Sequence, residues 1–126
     1  MKRTGLFAVL ALAPFLAACP GNPLDGTVCT ADLRPAILVE VRDARTGASA
    51  LTGATVVARN GSAYDSVTVR DPQVSSVGLA HELPGTYEVV VRRDGYREWK
   101  RSGVRVEKDE CHVITARVEA VLEPVQ

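Results

Sequence analysis

The chain has 126 residues, of which 46% are hydrophobic and 24% are charged, and these values are typical of a globular protein with one domain. Lysine plus arginine and aspartate plus glutamate both number 15, so the formal net charge is zero. This balance argues against nucleic acid as the main partner, because phosphate binding requires a surplus of basic side chains.

Residues 1–18 have the three parts of a secretory signal peptide. Lys2 and Arg3 precede an apolar stretch that starts at Leu6, and small residues end it. The stretch is short for a membrane span of about 20 residues, and a proline interrupts it. We therefore expect the chain to be exported.

The signal ends in Leu-Ala-Ala-Cys at residues 16–19, which resembles the lipobox of bacterial lipoproteins. The resemblance implies that Cys19 receives a diacylglyceryl thioether, that cleavage occurs before it, and that its new amino group is acylated. Two or three acyl chains anchor a protein durably, whereas one does so only marginally. An ordinary signal peptide with a stray cysteine is the alternative.

The implied location is the bacterial cell envelope, with the protein held in the membrane by its N-terminal lipid anchor. Pro20 follows the cysteine, where aspartate is the usual signal for retention in the inner membrane. In a Gram-negative cell we therefore expect the outer membrane, on its periplasmic or surface face.

Residues 19–28 are rich in proline and glycine, and we predict that they form a flexible tether. The folded domain is predicted over residues 29–124. Within it apolar and polar residues alternate with a period of two, which is typical of β-strands.

Turn signals separate the alternating stretches, among them Asn60-Gly61 and Pro84-Gly85. Short strands with such frequent turns predict an all-β, antiparallel sandwich or barrel without a required helix, and of the two we favour an Ig-like sandwich. The sequence does not decide whether Gly103 interrupts the sixth predicted strand. The seven predicted strands cover residues 36–43, 54–60, 63–70, 77–82, 86–93, 97–106 and 111–122.

Several of these stretches together resemble the carboxypeptidase regulatory-like domain. The first strand ends in Asp-x-x-Thr-Gly at residues 43–47, and Gly-Ala-x-Val follows at 53–56. Pro-Gly-x-Tyr-x-Val-x-Val occupies residues 84–91, and Gly95-Tyr96 comes after it. The resemblance extends over nearly the whole fold and implies a seven-stranded prealbumin-like (transthyretin-like) β-sandwich.

Two residues of the Pro-Gly-x-Tyr motif have structural roles that follow from their chemistry. Gly85 permits the turn that starts a strand. Tyr87 is expected to fill core and to direct its hydroxyl to nearby backbone. We interpret both as folding residues rather than catalytic ones.

The resemblance also bears on the two remaining cysteines. In the family's fold the first and last strands lie close together, while Cys29 precedes the first predicted strand and Cys111 begins the last. Export places both in an oxidising compartment. We therefore expect a Cys29–Cys111 disulfide, worth about 4 kcal/mol in the chain-entropy account, with two unpaired thiols as the alternative.

No catalytic residue, metal site or cofactor is predicted. His81 and His112 are the two histidines, and neither falls in a nucleophile motif. His112 is expected on a partly buried face that it shares with Ile114 and the alternate residues of the last strand. CxxC, HxH and HExxH are absent from the sequence. The stretch Glu-Lys-Asp-Glu at residues 107–110 is interpreted as a solvated turn, with calcium binding by its three carboxylates as the alternative.

One stretch, residues 92–105, is locally basic and aromatic. It could dock an anionic envelope polymer by charge and ring stacking, or it could be a hairpin with an arginine-rich solvent face and Trp99 at the sheet edge. We favour the hairpin and keep the binding surface as a hypothesis. The residues of that surface are Tyr96, Arg97, Trp99, Lys100 and Arg101.

The sequence favours a non-enzymatic, lipid-anchored envelope module that binds or supports another envelope protein or a glycan. One alternative is a transthyretin-like hydrolase or enzyme accessory domain. A cleft that gathers His81 or His112 with an arginine and a carboxylate would favour it. A glycan-binding module is a third possibility, and it requires the rings of Tyr96 and Trp99 to be exposed and coplanar.

Overall fold

A computed structural model describes residues 26–61 and 63–126, so Cys19 and most of the predicted tether lie outside the described residues. Within those residues the chain is all-β and contains no helix, and hence none that could cross a membrane. The strands are β1 (Ile37–Asp43), β2 (Thr55–Asn60), β3 (Ala63–Thr68), β4 (Val77–Leu79), β5 (Gly85–Arg92), β6 (Trp99–Lys108), β7 (Val113–Ile114) and β8 (Ala116–Leu122).

The strands form two sheets. One has three strands in the order β4-β1-β8, and the other has five in the order β3-β2-β5-β6-β7. Alternate apolar residues of both sheets join in one buried cluster, as expected when two pleated sheets share a core. Its largest fully buried members are Tyr87, Ile37, Leu51, Leu79 and Leu122.

The last predicted strand is divided at Thr115, so the described chain has eight strands instead of seven. The Thr115 hydroxyl donates a hydrogen bond of 2.7 Å to the carbonyl of Pro35. The Ala116 amide donates one of 2.9 Å to the carbonyl of Ala36. These bonds draw the chain from the five-stranded sheet, which it leaves as β7, to the three-stranded sheet, which it joins as β8.

The division also reverses which face of the chain is buried. Val113 is buried and Ile114 is 55% exposed, so the predicted inward position of Ile114 is wrong. Beyond the division the prediction is correct, because Val118, Ala120 and Leu122 are all in the core. A one-residue change of phase is enough for this reversal, since side chains alternate faces along a strand.

One strand pair departs from the predicted antiparallel arrangement. β1 and β8 run parallel, in a register from Ile37 opposite Ala116 to Asp43 opposite Leu122. β8 and its neighbour β1 are not joined by a hairpin. The chain crosses from the five-stranded sheet to the three-stranded sheet and begins β8 beside the start of β1. Both strands therefore begin at the same end of the domain and run in the same direction.

Gly103 does not break β6. The register of β5 against β6 shifts between Tyr87 and Val89, and Gly103 lies opposite this shift with φ of 70°. A β-bulge thus absorbs the extra residue, and the strand continues to Lys108.

The predicted role of Tyr87 is confirmed. Its ring is buried, and its hydroxyl donates a hydrogen bond of 2.7 Å to the carbonyl of Leu83. The buried phenol is therefore satisfied without a side-chain partner.

Candidate functional site

The N-terminal arm, residues 26–35, lies against the turn between β6 and β7. The structure brings the sulfurs of Cys29 and Cys111 to disulfide-bonding distance, as predicted, with their Cα atoms 5.2 Å apart across 82 positions of sequence. Beside this pair the Thr27 hydroxyl donates a hydrogen bond of 2.6 Å to Oε2 of Glu110. The arm is thus fixed to the end of the domain at which β1 begins.

A polar cluster surrounds His112 next to the cysteine pair. His112 is 7% exposed. Among residues 26–61 and 63–126 it is the one polar residue whose side chain is buried. Its Nδ1 lies 2.8 Å from Oε1 of Glu82, and its Nε2 lies 3.0 Å from Oγ1 of Thr30. Oδ1 of Asp32 is 3.8 Å from the same Nε2. We call Thr30, Asp32, Arg34, Glu82 and His112 the His112 cluster.

Glu82 holds the arm and the imidazole together. It occupies the turn after β4 with φ of 57°, a left-handed conformation that is uncommon for a residue with a side chain. Its carboxylate accepts from the amide of Arg34 at 2.8 Å and from the amide of Val113 at 3.2 Å. The hydrogen bond from the Arg34 amide is the largest cause that holds the pKa of Glu82 below its usual range, and the hydrogen bond with His112 is the next. The carboxylate therefore stays ionised at neutral pH.

Asp109 fixes the backbone that carries His112. One oxygen of Asp109 accepts from the amides of Cys111 and His112, both at 2.8 Å. The Asp109 amide in turn donates to the carbonyl of His112 at 2.9 Å. The bond from the His112 amide is the main cause that lowers the pKa of Asp109. This residue of the predicted acidic turn thus caps a turn of the backbone.

The hydroxyl of Thr30 has two possible acceptors. In the tautomer that carries the proton on Nδ1, His112 donates to the carboxylate of Glu82, and Nε2 accepts from Thr30. Asp32 also attracts this hydroxyl, and the hydrogen bond from Thr30, followed by that from Arg34, lowers the pKa of Asp32 to about 2. Thr30 therefore lies between a base and an anion.

The arrangement connects a hydroxyl, an imidazole and a carboxylate in the order found in hydrolytic triads. A cleft of about 420 Å³ lies beside it, with Thr30, Arg34, Asp109 and His112 in its lining. This convergence is not visible in the sequence, because the arm, Glu82 and His112 are far apart in the chain and match no motif. The predicted pairing of the cysteines was the available signal that Thr30 lies near His112, because Thr30 follows Cys29 and His112 follows Cys111.

His81 does not belong to the cluster, although it is one residue from Glu82. Its side chain is exposed. Within the described residues no group of three or more histidine, cysteine, aspartate or glutamate side chains is placed to hold a metal ion.

The aromatic rings of the hypothesised binding surface are half-buried and pack against the core. The Tyr96 hydroxyl donates a hydrogen bond of 2.6 Å to Oδ2 of Asp43, which raises the pKa of Tyr96. The guanidinium of Arg93 lies 5.2 Å from the centre of the Tyr96 ring, and that of Arg101 lies 5.1 Å from the Trp99 ring. The protein's own arginines thus lie over these rings, and the rings do not form the exposed platform that ring stacking on a glycan requires.

The three cations of the same surface are exposed along β6 and the segment before it. The amide of Arg97 donates to the carbonyl of Glu123 at 2.9 Å, and Lys100 lies opposite Val90 of β5. Arg101 follows in the strand. The structure therefore places Arg97, Lys100 and Arg101 along one edge of the sheet, without gathering them into a pocket.

No protein-family model matches the chain, and no curated protein matches it. The resemblances to bacterial lipoproteins and to carboxypeptidase regulatory-like domains therefore stay predictions from the sequence.

Proposed function

We propose that this protein is a non-enzymatic, lipid-anchored module of the bacterial cell envelope, which binds or supports another envelope protein or a glycan. Cys19 carries the lipid, and the folded domain is a prealbumin-like sandwich of the carboxypeptidase regulatory-like kind. The two-sheet, all-β architecture supports this fold.

The observation that carries the proposal is the way the arm is attached to the domain. The chain reaches the domain only ten positions after Cys19, and there Cys29 pairs with Cys111. Hydrogen bonds from Arg34 to Glu82 and from Thr27 to Glu110 secure the same arm. A tether that ends on a fixed arm holds the domain near the membrane with one end toward the anchor, which suits a module that presents a surface to partners.

Cross-linking pull-down from native envelopes tests this proposal. The wild-type protein should recover a reproducible partner, or cross-linked glycan, that a Cys19→Ala variant does not recover, because the variant lacks the lipid that places it at the membrane. Equal recovery by both proteins, or recovery of nothing by the wild type, would count against an anchored binding module.

A second candidate function rests on the His112 cluster. It contains what the hydrolase alternative requires, namely a histidine with a carboxylate at 2.8 Å and a hydroxyl at 3.0 Å, beside Arg34. In this account Oγ1 of Thr30 would attack an ester carbonyl while His112 takes its proton. The C–O bond to the alcohol would then break, with His112 returning the proton to the departing alcohol, and water would release the acyl group from Thr30 as a carboxylic acid.

Hydrolysis of p-nitrophenyl acetate separates the two candidates. A hydrolase should lose its activity in Thr30→Val, which keeps the shape of the side chain and removes the hydroxyl, and should keep it in His81→Gln. The non-enzymatic proposal predicts equal rates for the wild type and Thr30→Val.

A further inference from the structure

Exposed apolar side chains are concentrated at the end of the domain that carries the N-terminal arm. Among the described residues eight large apolar side chains are exposed, and four of them belong to the arm, the turn after β4 and β7. Single exposed apolar side chains are ordinary on a protein surface, so their shared position is the feature to explain. We call these four the apolar end. Its members, 50% to 92% exposed, are Val28, Leu33, Leu83 and Ile114.

The bonds that fix the arm also hold the apolar end together. Each of its four members is next in the chain to a residue that joins the arm, the turn and β7. Those neighbours are Cys29, Arg34, Glu82 and Val113. The amide of Glu82 donates to the carbonyl of Arg34 at 2.9 Å, and its carboxylate accepts from the amide of Val113 at 3.2 Å. The four side chains therefore belong to an ordered backbone, and their binding to a surface requires little further ordering of the chain.

The tether keeps the apolar end close to the lipid that Cys19 is proposed to carry. Ten positions separate Cys19 from Cys29. A chain extends at most about 3.6 Å per residue, so Cys29 lies within about 36 Å of the anchored residue. This confinement gives the arm a high effective concentration at the membrane surface, where weak apolar contacts are then enough to hold it.

The charges at this end favour a lipid surface without net charge. Residues 26–35, 80–84 and 107–114 contain two basic side chains against five acidic ones, a net charge of −3 with histidine neutral. An anionic lipid surface repels such an end, whereas a zwitterionic surface does not.

We propose that the apolar end rests on a zwitterionic lipid surface, with its four side chains inserted at the boundary between headgroups and acyl chains. The inference rests on the lipid anchor of the proposed function and adds a direct contact between the domain and the membrane. Apolar side chains of segments that lie on a membrane reach about 5–10 Å into this boundary. Backbone groups of the arm and the turn stay at the level of the headgroups, where water and headgroups satisfy their hydrogen bonds.

Quenching of tryptophan fluorescence by brominated lipid tests this contact. The lipid-modified mature chain is reconstituted in phosphatidylcholine vesicles with or without bromine on the acyl chains, and the wild type, which contains Trp99 alone, sets the baseline. Leu83→Trp should lose fluorescence to the brominated lipid and shift its emission to shorter wavelength. Val121→Trp should show neither change, because Val121 is an exposed residue of β8 that lies opposite Arg42, at the far end of β1.

Ile114→Trp gives a second reporter, on β7 instead of the turn. In this background Leu33→Ser with Leu83→Ser should reduce the quenching, because the two substitutions remove apolar side chains from the contact. Val74→Ser with Val121→Ser is the matched control and should leave the quenching unchanged, since both are exposed apolar residues of other segments. All these positions are exposed, and thermal unfolding of each variant checks its fold.

The charge of the vesicle supplies an independent test. Partial replacement of phosphatidylcholine by phosphatidylglycerol should reduce the quenching of Leu83→Trp at low salt, and added salt should restore it by screening the repulsion. Stronger quenching on the anionic vesicles would contradict the preference for a zwitterionic surface.

The outcomes separate the membrane contact from the proposed function. An unmodified Cys19 would contradict the proposed anchor. A lipid-modified chain in which Leu83→Trp and Val121→Trp respond equally, or in which neither responds, would overturn the membrane contact alone. Loss of an envelope partner in the variant Leu33→Ser with Leu83→Ser, without quenching of the reporters, would assign the apolar end to a protein partner and overturn the contact as well.

Discussion

His112 shows how one residue of this protein connects distant parts of the chain. It is buried, and its two ring nitrogens lie beside Glu82, from the turn after β4, and Thr30, from the arm. A buried polar group is tolerated when its hydrogen-bonding capacity is satisfied, and a truncated partner leaves another group unpaired. The cluster is thus expected to contribute to stability whichever functional candidate is correct.

Substitution of the histidine tests this contribution. His112→Gln removes the paired ring nitrogens and should lower the free energy of unfolding by about 1–3 kcal/mol, measured by urea denaturation at neutral pH. The control is His81→Gln, an exposed site that should change stability by less than about 0.5 kcal/mol. Equal effects at the two positions would show that the cluster is not structural.

The carboxylates of this region predict loss of stability in acid. The pKa values of Glu82 and Asp109 are lowered in the folded state, mainly by hydrogen bonds from the amides of Arg34 and His112 respectively. Their contribution to the free energy of unfolding is therefore fully present above the pKa values of the unfolded chain, which are near 4. It is lost as the pH falls through the lower pKa values of the folded state.

Asp109→Asn isolates one of these carboxylates. The wild type should be more stable than this variant at about pH 7, and the difference should shrink between about pH 5 and pH 2. Urea denaturation across that range measures it. A difference that stays constant or grows in acid would contradict the assigned hydrogen bonds.

At the scale of elements, the strands were predictable and their pairing was predictable only in part. Each predicted strand overlaps an observed one, because alternation and turn residues such as Asn60-Gly61 are local signals. The division at Thr115 was not predictable, since it depends on a hydrogen bond to Pro35 from across the fold. The parallel pairing of β8 with β1 has the same non-local origin.

The candidate site was less predictable than the fold. Cys29 and Cys111 could be paired from the family resemblance. In contrast, Glu82 reaches His112 through a turn with a left-handed backbone, and no local motif predicts this turn. Tyr96 and Trp99 could be identified from the sequence, but the hydrogen bond of Tyr96 to Asp43 joins it to a distant strand, β1. Sites that several elements build together do not appear as spacing in a sequence.

Gly85, at the start of β5, tests the turn chemistry of an element. Its φ is 144°, and a Cβ at this position would overlap the side-chain amide of Asn60. Gly85→Ala should therefore destabilise the protein by about 1–3 kcal/mol in thermal or urea unfolding. Gly26→Ala is the matched control, because a Cβ there has open space. If the two variants are equally stable, the strain assigned to Gly85 is wrong.

At the scale of the whole molecule, the Cys29–Cys111 pair determines how the N-terminal arm is attached to the rest of the domain. A Cys29–Cys111 bond joins the arm to the far end of the sequence and closes a loop across 82 positions. In the chain-entropy account, its removal in Cys29→Ala with Cys111→Ala should cost about 4 kcal/mol of stability. Urea denaturation of the wild type and the double variant, each with and without reductant, measures the loss. A reductant that leaves the wild type unchanged would contradict a stabilising bond.

We propose that the three cysteines serve two purposes, with Cys19 as lipid anchor and Cys29 with Cys111 as a fixed attachment of the arm. Mass spectrometry of the protein from native envelopes, alkylated and digested without reductant, tests both at once. We predict a mature chain that begins at a lipid-modified Cys19, a cross-linked peptide that contains Cys29 and Cys111, and no alkylated cysteine. An unmodified Cys19 in the mature chain, or alkylation of Cys29 and Cys111 before reduction, would contradict the claim.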